Sequence, residues 1–201
     1  VEAIVGADAL GPSLQWISST VGVAGLLSEL TDTTDRISHL VQDVKTYSQM
    51  DRASLQCADL TSGIESTLTM LAPKLGGIEV IRSYGDEVPE IEVYVAELNQ
   101  VWTNLIDNAL DAMDGNGTLR LATSIDGDEV VIEITDSGPG IDPEVLSRVF
   151  EPFFTTKDVG SGTGLGLDIS RRIVVDRHGG AISFESVPGS TTASVRLPVH
   201  H

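Results

Sequence analysis

The sequence predicts an α+β fold: a two-layer α/β sandwich with helices over one sheet face, preceded by a helical hairpin segment. Three observations predict it. Residues 26–47 carry apolar side chains at alternating steps of four and three. Residues 94–113 carry a strong helical stripe. Several segments between residues 78 and 197 alternate apolar and polar with period two, bounded by Gly, Asn and Asp turns.

Composition bounds the chemistry. Thirty Asp and Glu against twelve Lys and Arg give a formal net charge of −18 over 201 residues. That disfavours nucleic acid, and none is expected as a partner, because phosphate backbones are bound by Lys and Arg. It also disfavours anionic membrane surfaces. A nucleotide would need local donors or Mg²⁺ to meet its phosphates. Cys57 is the single cysteine, so no disulfide framework or Cys-based metal site is expected, which suits a reducing compartment. No unbroken apolar run reaches membrane-spanning length, and no signal-peptide pattern is present. We therefore expect a cytoplasmic segment. Val1 is not a natural start, and the chain reads as a piece of something longer.

Two domains are expected, with residues 1–56 forming a partial helical dimerisation hairpin and residues 57–201 an independent α+β domain. In the first, Leu26, Leu30, Thr33, Ile37, Leu40, Val44 and Tyr47 make a seam of about three heptads on one helix, about residues 23–50. Such a stripe needs a partner helix. Residues 51–59 read as a polar connector. Residues 60–75 read as a helix with Ile64, Leu68 and Leu71 on one face, ended by Gly76-Gly77. Residues 78–83 alternate as a strand. The helix over 94–113 carries Leu98, Val101, Leu105, Ala109 and Ala112. Residues 118–125 and 129–135 form a hairpin around Asp126-Gly127-Asp128. Residues 141–150 read as a short helix. A helix over 167–177 is closed by Gly179-Gly180, and residues 181–186 and 191–197 alternate as the last strands.

Four segments carry chemistry. Gly160-Ser161-Gly162-Thr163-Gly164-Leu165-Gly166 is a glycine-rich loop running into a helix. Backbone N–H groups and a helix N-terminus together favour a phosphate. The spacing fits neither the dinucleotide fingerprint nor the P-loop, which needs a Lys. Asp136-Ser137-Gly138-Pro139-Gly140-Ile141 puts a carboxylate at a strand end beside a glycine turn. It can accept from an exocyclic amine, or close an Asx turn on its own backbone. Asn104, Asn108 and Asp111 line one face of the second strong helix. Their oxygens suit a hard cation such as Mg²⁺, or they are simply helix surface. Phe153-Phe154-Thr155-Thr156-Lys157 combines aromatic anchors with a cation and reads as a lid or as ordinary loop packing.

In this order the segments resemble the N, G1, F and G2 boxes of sensor histidine kinases and their ATPase relatives, over about residues 58–199. The resemblance implies the Bergerat ATP-binding fold. It implies that Asp136 binds the adenine amine, with Gly138, Gly140 and Ile141 shaping the base pocket. Asn108 would ligate Mg²⁺, with Asn104 and Asp111 near ATP. Phe154, Thr155, Thr156 and Lys157 would form the ATP lid, and Gly160, Ser161, Gly162, Thr163, Gly164, Leu165 and Gly166 would hold phosphates. Thr191 matches a family Thr near adenine. Ser190 and Ala193 depart from the family, which often has Gly and Phe there.

Relatives that hydrolyse ATP resemble one another in placing a Glu where Asn104 stands. A neutral Asn is a poor base, so Asn104 and Lys157 are the expected catalytic residues of a phosphotransfer to protein. The implied activity is autophosphorylation of a histidine, with relay to an aspartate of a response-regulator receiver domain, in a homodimer formed through the helical hairpin. An ATPase, a nucleotide-gated non-catalytic dimer module and an anti-sigma-type serine kinase are the alternatives. His39 lacks the His-Glu-Leu start and the following Pro usual for an acceptor, so the acceptor is expected upstream of Val1. His178 matches a structural His-Gly-Gly turn.

Overall fold

The computed structural model describes Val23, Leu26, Thr33, Thr34 and residues 54–157 and 162–200. The chain divides into one unit of residues 1–42 with 156–163 and another of residues 43–155 with 164–201. In the first unit, Val23, Leu26, Thr33 and Thr34 are helical and exposed. The rest of the expected seam, and His39, lie outside the described residues.

The second unit begins with strand β1 (Gln56–Ala58), inside the expected polar connector. Asp59 then caps helix α1 (Leu60–Met70), its carboxylate accepting the Thr61 N–H at 2.9 Å. The helix expected to run to residue 75 stops at Met70, and a 3₁₀ turn, Ala72–Lys74, follows. Pro73 has no N–H to continue an α-helical ladder. Strand β2 (Ile78–Tyr84) precedes β3 (Ile91–Val93), an unexpected strand that pairs antiparallel with β1.

Helix α2 (Val95–Met113) buries Leu98, Val101, Trp102, Leu105, Ile106, Ala109, Leu110 and Met113. Each large apolar side chain so buried contributes about 1.5–3 kcal/mol, so packing holds this helix more than propensity does. Ala112, expected on the stripe, is exposed. Strands β4 (Gly117–Asp126) and β5 (Glu129–Asp136) form the expected hairpin.

Helix α3 spans only Pro143–Leu146, not residues 141–150. Asp142 caps it through the Glu144 N–H, but afterwards the backbone bonds tighten to Arg148 on Val145 and Glu151 on Arg148. Pro152 then blocks any helical continuation. Helix α4 (Gly166–Arg172) gives way to a π-helical turn, Ile173–Arg177, where one continuous helix was expected. Strands β6 (Ala181–Val187) and β7 (Ser190–Pro198) complete the fold.

The five long strands lie in the order β2-β4-β5-β7-β6. The sheet is mixed, because β2 and β4 run parallel and the other pairs antiparallel. One face is apolar: Leu119, Leu121, Val130, Ile132, Ile134, Val195 and Leu197 join the core of α1 and α2. This is the two-layer α+β sandwich read from the alternation. Ala193 stands directly across from Phe184 of the neighbouring strand.

Candidate functional site

The Asp136 carboxyl sits at the end of β5 and is 6% exposed. In register it faces Thr191 of β7, 5% exposed, and Thr191 faces Ser186 of β6. Directly opposed residues point to the same sheet face, so the three side chains form one row. Asp136 Oδ1 accepts the Gly138 N–H at 2.8 Å, so the carboxylate does close an Asx turn. Burial pushes its pKa above the ordinary value, against the lowering effect of the Gly138 amide. No Lys, Arg or His pairs with it among the described residues.

The loop after Asp136 is laid against the β6–β7 turn. Gly140 has φ +89°, and a Cβ there would stand 2.6 Å from the Val187 carbonyl oxygen. Ile141 donates its N–H to Ser186 Oγ at 2.7 Å. A Cβ on Gly138 would stand 3.1 Å from the Ala112 carbonyl oxygen, so the same loop abuts the last turn of α2.

On α2 the polar stripe is engaged at both ends. Asn104 Nδ2 donates to the Gly166 carbonyl at 2.9 Å and to Ser170 Oγ at 3.1 Å. Ser170, fully buried, donates in turn to the same Gly166 carbonyl at 2.8 Å. The Asn104 amide thus ties the start of α4 to α2. Asn108 is half-buried one turn further along. Asp111 bonds Lys74 Nζ at 3.2 Å, and Lys74 also holds Asp107 at 2.5 Å.

The segment after α3 returns to α4 through a backbone clasp. Phe153 donates its N–H to the Gly164 carbonyl at 2.8 Å. Both residues have left-handed backbones, and a Cβ on Gly164 would stand 2.5 Å from the Phe153 carbonyl carbon. Phe153 is 72% exposed, whereas the Phe154 ring lies under the Arg148 guanidinium, 4.3 Å from its centroid. Thr155 is exposed and Leu165 half-buried. In the other unit, Thr156 is exposed and Lys157, Gly162 and Thr163 are half-buried. Gly160 and Ser161 lie outside the described residues.

His178 is 1% exposed and structural, as its turn suggests. Its Nε2 accepts the Tyr94 N–H at 3.1 Å, so Nδ1 carries the proton and donates to the Ile173 carbonyl at 2.8 Å. Tyr94 has no side-chain cap, and this imidazole caps α2 instead. Glu97, 3% exposed, is held bidentate by Arg177, whose guanidinium lies over the Tyr94 ring. Sequence reasoning missed Ser170, Ser186 and Lys74. Only Ser170 left a signal, one helical turn after Gly166 and facing the Asn stripe.

Residues 94–201 match the family described as histidine kinase-, DNA gyrase B-, and HSP90-like ATPase. The chain is 34% identical over 169 residues to the sensor histidine kinase ZraS of Escherichia coli (strain K12), covering 83% of this chain and 36% of ZraS. It therefore spans about a third of that relative's length. The catalytic domain of the histidine kinase ThkA superposes with a TM-score of 0.68 at 30% identity, covering 73% of this chain and 97% of that domain. ThkA in complex with the response regulator protein TrrA gives a TM-score of 0.68 at 26% identity, covering 83% and 49%. Among the described residues, no helix is long and apolar enough to cross a membrane.

Proposed function

Because the chain belongs to the histidine kinase-, DNA gyrase B- and HSP90-like ATPase family, we propose that it is the ATP-binding catalytic part of a sensor histidine kinase. The observation that carries this reading is Asp136: a buried carboxylate with no cation partner among the described residues, in one row with Thr191. Such a group is costly unless a ligand supplies a donor. The 6-amino group of adenine does so, and Gly138, Gly140 and Ile141 wall that pocket. Kinase over ATPase is supported by Asn104. Its amide hydrogens are committed to Gly166 and Ser170, and a neutral amide does not deprotonate water.

Asn104 and Asn108 present neutral side-chain oxygens on one helix face. That donor set fits Mg²⁺, which takes one or two protein oxygens together with substrate phosphates. Asn108 would hold it, and the ion would offset phosphate charge in a strongly acidic chain. Asp111 adds a further oxygen on the same face. Phe154, Thr155, Thr156 and Lys157 would cover the nucleotide, and Gly160, Ser161, Gly162, Thr163, Gly164, Leu165 and Gly166 would line the phosphates, with Lys157 as a second cation. The γ-phosphoryl leaves ADP and bonds to a histidine nitrogen, a transfer governed by positioning and charge neutralisation.

The acceptor histidine would lie before Val1, on the first helix of a dimerisation hairpin. Two hairpins form a homodimer, and the phosphoryl group passes to a receiver-domain aspartate; the ThkA–TrrA complex supports a partner of that kind. We assign the segment to the cytoplasm, where ATP is available. Radiolabelled Mg-ATP tests the reading. The chain binds it without acquiring acid-labile label, and a longer chain carrying the preceding helix becomes labelled. Failure to bind ATP overturns the reading. Labelling abolished by His39→Gln overturns the acceptor's placement, and hydrolysis far faster than labelling of the longer chain favours the ATPase.

A further inference from the structure

We propose that Ser186 is a positioning residue that sets the direction of the Thr191 hydroxyl and so makes the base pocket select adenine over guanine. The inference rests on the reading of this site as a nucleotide pocket and deepens it. A hydroxyl has one hydrogen to give and two acceptor positions. The Ile141 N–H is a fixed backbone donor and fills one acceptor position of Ser186 Oγ at 2.7 Å. Ser186 Oγ lies 2.9 Å from Thr191 Oγ1. A donor on the Ser186 oxygen polarises its own O–H and makes that hydrogen the better one to give onward. The chain of bonds then runs in one direction: from the Ile141 amide, through Ser186, to Thr191. The Thr191 hydrogen is left to point at whatever occupies the pocket.

Asp136 stands directly across from Thr191 on the same sheet face. As a carboxylate it only accepts. The row therefore offers a ligand an acceptor beside a donor. Adenine presents the complement, with a donating 6-amino group beside the accepting N1. Guanine presents the reverse at both positions, an accepting O6 beside a donating N1–H. Without Ser186, the Thr191 hydroxyl can turn to accept from N1–H, and half of the discrimination goes.

Kd values for Mg-ATP and Mg-GTP by titration calorimetry test this on the 201-residue chain. Ser186→Ala should lower the ATP-over-GTP preference by about 5–10-fold, the worth of one directed hydrogen bond. Ser186→Cys keeps the side chain's shape with a weaker donor and should give a smaller loss in the same direction. In a Thr191→Val background, Ser186→Ala should change the preference no further. The proposal is overturned if both Ser186 variants lose ATP and GTP affinity equally, which is the signature of loop support alone. It is also overturned if the Ser186→Ala effect persists without the Thr191 hydroxyl. A parent chain that binds ATP and GTP equally well overturns the selectivity while leaving the nucleotide reading intact. One that binds neither overturns both.

Discussion

Asp136→Asn separates ligand recognition from folding at this site. The change is isosteric, and the Asn carbonyl oxygen can still accept the Gly138 N–H now bonded at 2.8 Å. The other side of the group, however, becomes an N–H₂ donor facing the donating amine of adenine. A hydrogen bond to a charged acceptor is worth about 1.5–3 kcal/mol, and a donor left facing a donor adds to the loss. ATP affinity should therefore fall about 100-fold. Stability should move the other way. Burial raises the Asp136 pKa from its ordinary 3.8, so the folded state binds this proton more readily than the unfolded chain. The ionised carboxylate thus costs stability at neutral pH, and the cost fades as pH falls through the raised value towards 3.8. The apo variant should melt at or above the parent's temperature near pH 7, with that advantage shrinking in acid. Calorimetric titration with Mg-ATP and thermal melts at both pH values measure the two effects. Parental ATP affinity, or a lower melting temperature at pH 7, would refute the reasoning.

Two further substitutions probe the supports of the site. Asn104→Asp removes both Nδ2 bonds and sets a carboxylate against the Gly166 carbonyl; it should cost about 2 kcal/mol in denaturant unfolding and weaken ATP binding without raising hydrolysis. Faster hydrolysis in that variant would mean that this position does reach the attacking water. His178→Ala strips a buried ring from between the Tyr94 amide and the Ile173 carbonyl, and should cost about 3–4 kcal/mol by the same measurement. A loss below about 1 kcal/mol would argue that water replaces the imidazole.

Legibility in the sequence followed length. Helix α2 and the β4–β5 hairpin repeat their apolar pattern often enough to show a period. The three-residue strands β1 and β3 repeat nothing, and their pairing depends on residues more than thirty positions apart. The π-helical turn at Ile173–Arg177 was hidden because composition there suits an α-helix equally well; the extra residue is recovered by packing and by His178. At the candidate site, Asp136 and the Asn stripe stood out in the sequence because a carboxylate at a strand end and two Asn one turn apart on an apolar helix break the surrounding pattern. Ser186 and Ser170 were not, since a Ser on a strand or helix is ordinary until register sets it beside Thr191 or Asn104.

The capping of α2 has a consequence for synthesis. The N–H of its N-cap residue, Tyr94, waits for an acceptor 84 residues further along the chain, and Glu97 waits 80 residues for Arg177. At about 5–20 residues per second, the ribosome leaves that helix end uncapped for roughly 4–17 s. The helix bearing Asn104 and Asn108 is therefore anchored only after most of the domain has emerged. Its polar stripe is among the last features to become rigid, and truncation before His178 removes that anchor altogether.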